Sequence, residues 1–519
     1  MQPLLQTLLT RHLKYIFKHT KYILNYPTSL LYPFIIGMSL YLAFPPHAQS
    51  YAIFVSITIF LIGLEHTQRS FCYGYIFYLG AAIAFIGYWF SYYFRLQLNV
   101  GYFISYLLTS LVCFYTALYI GIICWLYFRL KSRYTLFNLL ILFPSLWVLT
   151  ELIRGFFFPR SWYALGNIFV NNFFFHGYYP LFGAYFVSWL IMAISGALTY
   201  CYLNYTLRVW LKLVIGLSIF VGISYTLSSI KYTKPYGKPL KIAMVQPSIF
   251  SSTKFDISHK ITLEVLSLQL LSSISADLII LPETVFGVDY HYLTDGYLNQ
   301  LNNIANQKHA AIIFGSPIIW DDNPHQTGII DINNLDTPVY LKHYLVPFGE
   351  YNPLQNTFFE SITNLIGFKL ANYVPGAYAQ PPMEILGQKL AFNICYENTI
   401  NDYVADGAKN ATILVNQSDL SWYGKTHMKD VSLQFSQARA LENQRYFIQD
   451  GNSGDTVVIN PYGQIEKKIP AFTSSTLVYD VPGYTGVTPF EKWQNTPIWL
   501  LCCFSVMIAL VLRYSKLKK

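Results

Sequence analysis

The chain has 519 residues, of which 54% are hydrophobic, 18% aromatic and 12% charged, against roughly 25% charged in an ordinary soluble domain; its mean hydropathy is +0.35. That composition excludes a purely soluble enzyme. The net charge of +9 does not point to nucleic acid: no stretch interleaves dense Lys and Arg with aromatics, and many basic residues flank apolar runs, where they read as topology signals and contacts with membrane lipid.

A helix needs roughly 17 to 25 apolar residues to cross the hydrocarbon core. Seven runs before residue 232 are predicted as spans: Ser29 to Phe44, Tyr51 to Leu64, Phe71 to Phe94, Val100 to Phe128, Leu136 to Leu152, Pro180 to Leu203 and Val209 to Ser229. An eighth, Pro497 to Leu512, closes the chain. Basic residues in short loops set the orientation. With the N-terminus in the cytoplasm, the inner side holds Arg11, Lys14, Lys18, Lys21, Arg69, Arg129, Lys131, Arg133, Arg208, Lys212, Arg513, Lys516, Lys518 and Lys519, and the outer short loops only Arg95, Arg154 and Arg160. An odd number of spans then puts the long polar segment outside the cytoplasm. The expected organisation is a basic cytoplasmic N-terminus over 1–28, a membrane part over 29–231, an extracytoplasmic domain over 232–490, and a last span with a cytoplasmic C-terminus over 491–519. No cleaved leader is expected, because a long basic segment precedes the first apolar run and no small-residue cleavage site follows it.

From about residue 238 to 485 the texture changes. Short β-branched runs, Leu240 to Val245, Leu278 to Leu281, Ala311 to Phe314, Leu390 to Ile394, Ile413 to Asn416 and Thr456 to Ile459, read as buried strands. Ser258 to Ser273 and His427 to Gln444 read as helices between them. This is a layered α/β domain of sufficient size for its own core.

Three reactive residues stand at or after strand ends or turns in that domain: Glu283 in Leu-Pro-Glu-Thr, Lys342 upstream of a Pro-Phe-Gly turn, and Cys395 in Ile-Cys-Tyr-Glu. They are the types that a base, an electrostatic stabiliser and a nucleophile require, and strand carboxyl ends are where open α/β sheets gather their sites. Cys72, Cys113, Cys124, Cys201, Cys502 and Cys503 lie in apolar runs, so Cys395 is the lone thiol of the polar part. No disulfide framework or cysteine-rich zinc site can be built from that distribution, and a lone thiol on the oxidising side favours a role that needs it.

The order Glu283, Lys342, Cys395 in those surroundings resembles the carbon-nitrogen hydrolase (nitrilase) superfamily. Seven spans before such a domain and one after it resemble the apolipoprotein N-acyltransferases. Leu-Ala-Phe-Pro-Pro at 42–46, Trp-Val-Leu-Thr-Glu-Leu-Ile-Arg-Gly at 147–155, Val-Gln-Pro at 245–247, Ser-Trp-Tyr-Gly at 421–424 and Gln-Ala-Arg-Ala-Leu-Glu at 437–442 support the likeness. Two departures stand out: Phe255 where the family often has Trp, and Ser-Asp-Leu-Ser-Trp at 418–422, which moves the acid one place to Asp419.

The resemblance implies an eight-span helical bundle carrying a periplasmic αββα sandwich in the bacterial inner membrane, with its cleft toward the membrane. It implies transfer of an acyl chain from a phospholipid to the N-terminal α-amine of a diacylglyceryl-cysteine apolipoprotein, through a thioester on Cys395, with no cofactor or metal and a monomeric enzyme. Glu283 would be the base and Lys342, with the Tyr396 N–H, the oxyanion donor. Glu350, Tyr396, Glu397, Phe255 and Trp422 would complete the site. Phe358, Phe359, Ile362, Leu365 and Ile366, at helical spacing, suit either an interfacial lid or a core-facing helix. Glu151 and Arg154, three apart on one helix face, suit a lipid headgroup or each other. The same triad also fits a membrane-bound amidase that passes its acyl group to water, and the chain could instead be a transporter with an inactive domain.

Overall fold

In the computed structural model, residues 30–97, 99–157, 162, 164–254, 256–272, 274–319, 325–352 and 372–517 are described. Phe255, Arg160, the basic segment 1–28 and the expected lid at Phe358 to Ile366 lie outside them. The apolar runs form helices. After α1 (Leu31–Ser39), continued by a short turn over Leu40–Ala43, come α2 (Ala52–His66), α3 (Ser70–Gln97), α4 (Tyr102–Leu130), α5 (Phe143–Phe157), α6 (Tyr179–Leu203) and α7 (Leu207–Ser228). Six helical stretches among the described residues are long and apolar enough to cross a membrane: Ser70–Leu96, Tyr102–Leu130, Thr135–Gly155, Tyr179–Leu203, Leu207–Ser228 and Thr496–Arg513. The first two expected spans are present as the shorter apolar helices Leu31–Ala43 and Ala52–His66.

Each α/β run predicted from sequence falls within a strand. The first sheet has the order β12-β1-β2-β3-β4-β5, from Ser475–Gly486, Thr233–Gln246, Leu278–Leu281, Ala311–Ile319, His325–Asp331 and Tyr340–Leu341. The second has the order β11-β10-β9-β8-β7-β6, from Ile465–Ile469, Thr456–Ile459, Tyr446–Gly451, Ile413–Ser418, Gln388–Ile394 and Met383–Ile385. Their centres are parallel, Ile242 opposite Leu278 and Leu278 opposite Ala311 in one, Leu390 opposite Ile413 and Ile413 opposite Tyr446 in the other.

Side-chain alternation along the strands builds the layers. Ile242, Met244, Ile280, Leu390, Phe392, Ile413 and Ile448 meet between the sheets. The opposite faces bury Leu263, Tyr297 and Leu301 from helices α8 (Lys260–Ser272) and α9 (Asp295–Lys308) on one side. On the other they bury Val404, Ala408, Leu433 and Ala440 from α10 (Asn401–Ala408) and α11 (Met428–Asn443). The result is the four-layer αββα sandwich that the resemblance implied.

The sandwich and the helical bundle share a core. Leu420, Tyr423, Met428, Val431, Phe435 and Ala438 pack into the same apolar cluster as Phe85, Trp89, Trp162 and Tyr179. A break in α6 anchors the joint: Gly183 takes φ +74°, and a Cβ there would collide with the Phe490 ring. The amide and carbonyl freed by the break do not stay bare. Ala184 N–H donates to Glu442 Oε1 at 2.9 Å and Trp493 Nε1 donates to Leu181 O at 2.7 Å. Glu442 is itself fully buried and paired with Arg439 at 2.7 Å.

Glu151 and Arg154 in α5 are also buried, at 2% and 3% exposure. Glu151 accepts from Trp147 Nε1 and Leu165 N–H, while Arg154 donates to the Tyr78 hydroxyl of α3. Both side chains thereby tie α5 to its neighbours.

Candidate active site

The three reactive residues converge. β2 delivers Glu283 two residues past its end, the two-residue β5 delivers Lys342, and β7 runs into Cys395. They share a cavity of about 220 Å³ with Tyr93, Glu350, Tyr373, Asp419, Trp422 and Tyr423. Tyr93 belongs to α3, so a membrane helix forms part of the wall. Its ring stacks on Tyr423, with centroids 5.3 Å apart. A Cβ at Gly349, in the Pro-Phe-Gly turn, would collide with the Tyr93 hydroxyl; glycine lets the turn and the helix meet.

Lys342 is 1% exposed and bridges two carboxylates, Glu283 Oε1 at 3.1 Å and Glu350 Oε1 at 2.6 Å. Glu350 Oε2 accepts from Val346 N–H at 2.8 Å. Burial opposes the ammonium, but Glu283, Glu350 and Cys395 together hold its pKa well above the usual lysine range. Burial raises the Glu283 pKa, with Lys342 pulling the other way. The Cys395 thiol is pushed well up, by burial and then by the neighbouring Glu283 charge, so it rests as the neutral thiol. Its backbone is left-handed, φ +51°, a conformation that costs a non-glycine residue of order 1 kcal/mol or more and is characteristic of functional sites. Asn416 Nδ2 donates to the Cys395 carbonyl at 3.2 Å.

Glu397 stands behind the cavity rather than in it. Fully buried, it accepts from the Tyr340 hydroxyl at 2.6 Å, Ile394 N–H at 2.7 Å, His343 N–H at 2.8 Å and Tyr344 N–H at 2.9 Å. Burial pushes its carboxyl up to about 7 against the pull of these donors. One carboxylate thereby fixes the strand end that carries Cys395 to the loop that carries Lys342. Tyr396 lies in the first turn of the short helix Cys395–Thr399, with its ring edge-on to Trp162. Trp422 lines the cavity directly.

Sequence reasoning missed Lys254 and left Asp419 open. Both are wholly buried and paired with each other. Asp419 N–H donates to Glu283 Oε2 at 2.8 Å, and Asp419 Oδ1 accepts from Ser421 N–H and Asn452 Nδ2. Lys254 Nζ also lies 3.4 Å from the Glu283 carbonyl. The shifted acid is therefore part of the cradle around Glu283. Lys254→Met would strand the Asp419 carboxylate in the interior. A loss of about 3 to 5 kcal/mol is expected, read as a lower melting temperature of the detergent-solubilised protein, with Lys254→Met/Asp419→Asn recovering part of it.

The apolipoprotein N-acyltransferase N-terminal domain model matches residues 36–197, and the carbon-nitrogen hydrolase model matches residues 241–490. The apolipoprotein N-acyltransferase of Chromobacterium violaceum is 32% identical over 406 residues, 78% of this chain and 78% of that one. That of Neisseria meningitidis serogroup B is 31% identical over 419 residues, 78% of this chain and 80% of its own. An amidase from Nesterenkonia sp. aligns in structure over 51% of this chain and 97% of its own, with 20% identity and a TM-score of 0.35. The chain belongs to the apolipoprotein N-acyltransferase family.

Proposed function

We propose that the protein moves a fatty acyl chain from a phospholipid to the N-terminal α-amine of a diacylglyceryl-cysteine apolipoprotein, by way of a thioester on Cys395. The observation that carries this reading is the cavity itself: thiol, carboxylate and ammonium meet in a pocket walled by a helix long enough to span the membrane. Extracting an acyl chain into water costs about 0.8 kcal/mol per CH₂. A thiol beside a spanning helix can reach an ester while the chain stays in hydrocarbon.

In the first half-reaction Glu283 takes the Cys395 proton as sulfur attacks the ester carbonyl. The negative charge that forms on the carbonyl oxygen is met by the Lys342 ammonium and the Tyr396 N–H. Collapse expels the lysophospholipid alkoxide, which receives the proton from Glu283. In the second half the lipoprotein amine attacks the thioester, Glu283 accepts its proton, and sulfur leaves as the thiol. Glu350 holds Lys342, and Trp422 presents ring surface to substrate. An amide is more stable than a thioester, so the transfer needs no energy source, cofactor or metal.

This reading takes the chain as a monomeric inner-membrane enzyme, with eight spans divided between 29–231 and 491–519 and residues 232–490 in the periplasm. The two shorter helices α1 and α2 complete the eight. Its donor is a phospholipid, its acceptor a lipid-modified protein, and nucleic acid has no part.

The test is mass spectrometry of the purified protein exposed to phospholipid, then to a diacylglyceryl lipopeptide. An acyl adduct removed by hydroxylamine and passed to the peptide amine is expected. Free fatty acid without acylated peptide points to a hydrolase, and no adduct at all defeats the reading. The pH dependence has a definite sign. Glu283 accepts a proton only when ionised, and its pKa is raised. Single-turnover acylation is therefore expected to fall as pH drops through a midpoint above that of an exposed glutamate. It should level off on the neutral side, because the thiol stays protonated there.

A further inference from the structure

Helix α7 is attached to the bundle mainly at one end. Of its side chains only Ser224 is buried. The Phe220 ring stacks on Tyr178 with centroids 5.7 Å apart and lies 5.5 Å from Phe175, and Ser224 Oγ donates to the Tyr178 hydroxyl at 3.4 Å. This is the end nearer the sandwich, since the chain passes from Ser228 into β1 at Thr233. Toward its other end α7 parts from α6 and leaves a wedge of about 420 Å³.

The wedge is apolar except at its mouth. Leu140, Ala197, Gly216 and Leu217 line it, with Tyr200 and Lys212 at the end away from the sandwich. Val209 and Phe220, both on its wall, are separated by roughly 16 Å of helix axis, about half the hydrocarbon core of a bilayer. A spanning helix from another chain would have to continue through the end that Phe220 and Tyr178 close. A lipid tail that stops at the bilayer centre does not.

Lys212 is the one charged residue on the lining. The chain has no Asp or Glu between Glu151 and Asp256, so neither α6 nor α7 offers it a carboxylate. The third wall, from the stretch Thr135–Gly155, carries only Glu151, which is buried and held by Trp147 and the Leu165 N–H. Glu65, at the end of α2, is taken by Lys131 at 3.3 Å and by the Tyr127 hydroxyl. Arg208 stands one turn beyond Lys212 on the same face of α7. A lysine that snorkels to the surface above a tail-shaped wedge matches an anionic headgroup above its own acyl chain.

We propose that the wedge between α6 and α7 holds one acyl chain of an anionic phospholipid from the leaflet opposite the sandwich, with its phosphate at Lys212, and that this lipid braces α7 where protein packing is missing. The wedge opens on the half of the bundle away from the domain that carries Cys395, so this lipid is a resident and not the acyl donor. The proposal rests on the reading of these helices as membrane spans.

The test uses the full-length protein in a neutral detergent, with native mass spectrometry and thermal melts in the presence of ether-linked dioleyl phosphatidylglycerol or the matching phosphatidylcholine. The ether linkages keep either probe from serving as an acyl donor. One retained phosphatidylglycerol is expected, bound about fivefold more tightly than phosphatidylcholine, the effect of one lysine at a membrane surface, and raising the melting temperature. Lys212→Gln should remove the preference. Gly216→Trp fills the wedge at a position where an added Cβ meets nothing within 4 Å, and should weaken both lipids about tenfold or more; a cooperative melt shows that each variant is folded. Arg129→Gln removes an equal charge from the end of α4, where the guanidinium lies 5.3 Å from the Trp125 ring centroid, and should leave phosphatidylglycerol binding as it was.

Equal binding of the two lipids, a preference that survives Lys212→Gln, undiminished retention in Gly216→Trp, an equal loss in Arg129→Gln, or a melting temperature that the lipid does not raise would each overturn the assignment. A lipid-free dimer in place of the lipid adduct would give the face to a second copy and overturn it as well. A chain that stays dispersed without detergent fails the membrane reading itself, a result told apart because no lipid is then needed at all.

Discussion

Cys395→Ala is expected to abolish both the acyl adduct and net transfer, while the melting temperature moves by no more than the equivalent of about 1 kcal/mol. On the proposed thioester route the loss should be complete, because the substitution removes the sulfur that carries the acyl group. Glu283 and Lys342 remain, but a carboxylate and an ammonium can only polarise an ester that nothing attacks. The small effect on stability follows from the surroundings of the thiol. Alanine keeps the left-handed backbone at φ +51°, so the strain is unchanged. Glu397 continues to hold Ile394 N–H, and Asn416 continues to hold the carbonyl of residue 395. Intact-mass measurement after phospholipid exposure, with a thermal melt in the same detergent, separates chemical loss from unfolding. A Cys395→Ala protein that still acylates the peptide would remove the sulfur from the mechanism altogether.

The reach of the sequence differs from residue to residue for physical reasons. Glu283 and Cys395 could be placed because β2 and β7 are short apolar runs that end abruptly at polar residues, a signal carried by the local pattern alone. Lys342 follows a strand of two residues, too short to leave a period, and only its motif marked it. Lys254 left no signal. Its burial depends on Asp419, 165 positions along the chain, and an isolated lysine reads as solvated until that partner is known. Tyr93 was hidden for the opposite reason: inside an apolar run it looks like any span residue, and its place in the cavity comes from the docking of α3 against the loop at Tyr423. Half-exposed β12 escaped detection because an edge strand with one wet face has no continuous apolar run, although it pairs with β1 from Thr233 to Gln246. Glu397 could be singled out by its place two residues after the thiol, but only the fold reveals that its four donors come from two separate segments.

Lys342→Met is expected to damage stability and chemistry together, and the two losses can be pulled apart. The ammonium is buried between Glu283 and Glu350. Removing it leaves two carboxylates facing each other across an apolar side chain, a situation that costs about 3 to 5 kcal/mol in comparable buried pairs. Glu350 retains some solvent contact, so the lower end of that range is expected here. The chemical loss has two parts. Without the cation the developing oxyanion keeps only backbone donation, which costs about 10²- to 10³-fold in rate. Lys342 is also what pulls the Glu283 pKa down against burial. In its absence that pKa rises further, and the acid limb of the acylation profile shifts to higher pH. Lys342→Met/Glu350→Gln removes the like-charge repulsion and should recover much of the melting temperature. It restores no cation, so the acylation rate should stay low. A double variant that regained both would make Lys342 a structural counter-ion only, and one that regained neither would place the cost of the single change outside this carboxylate pair.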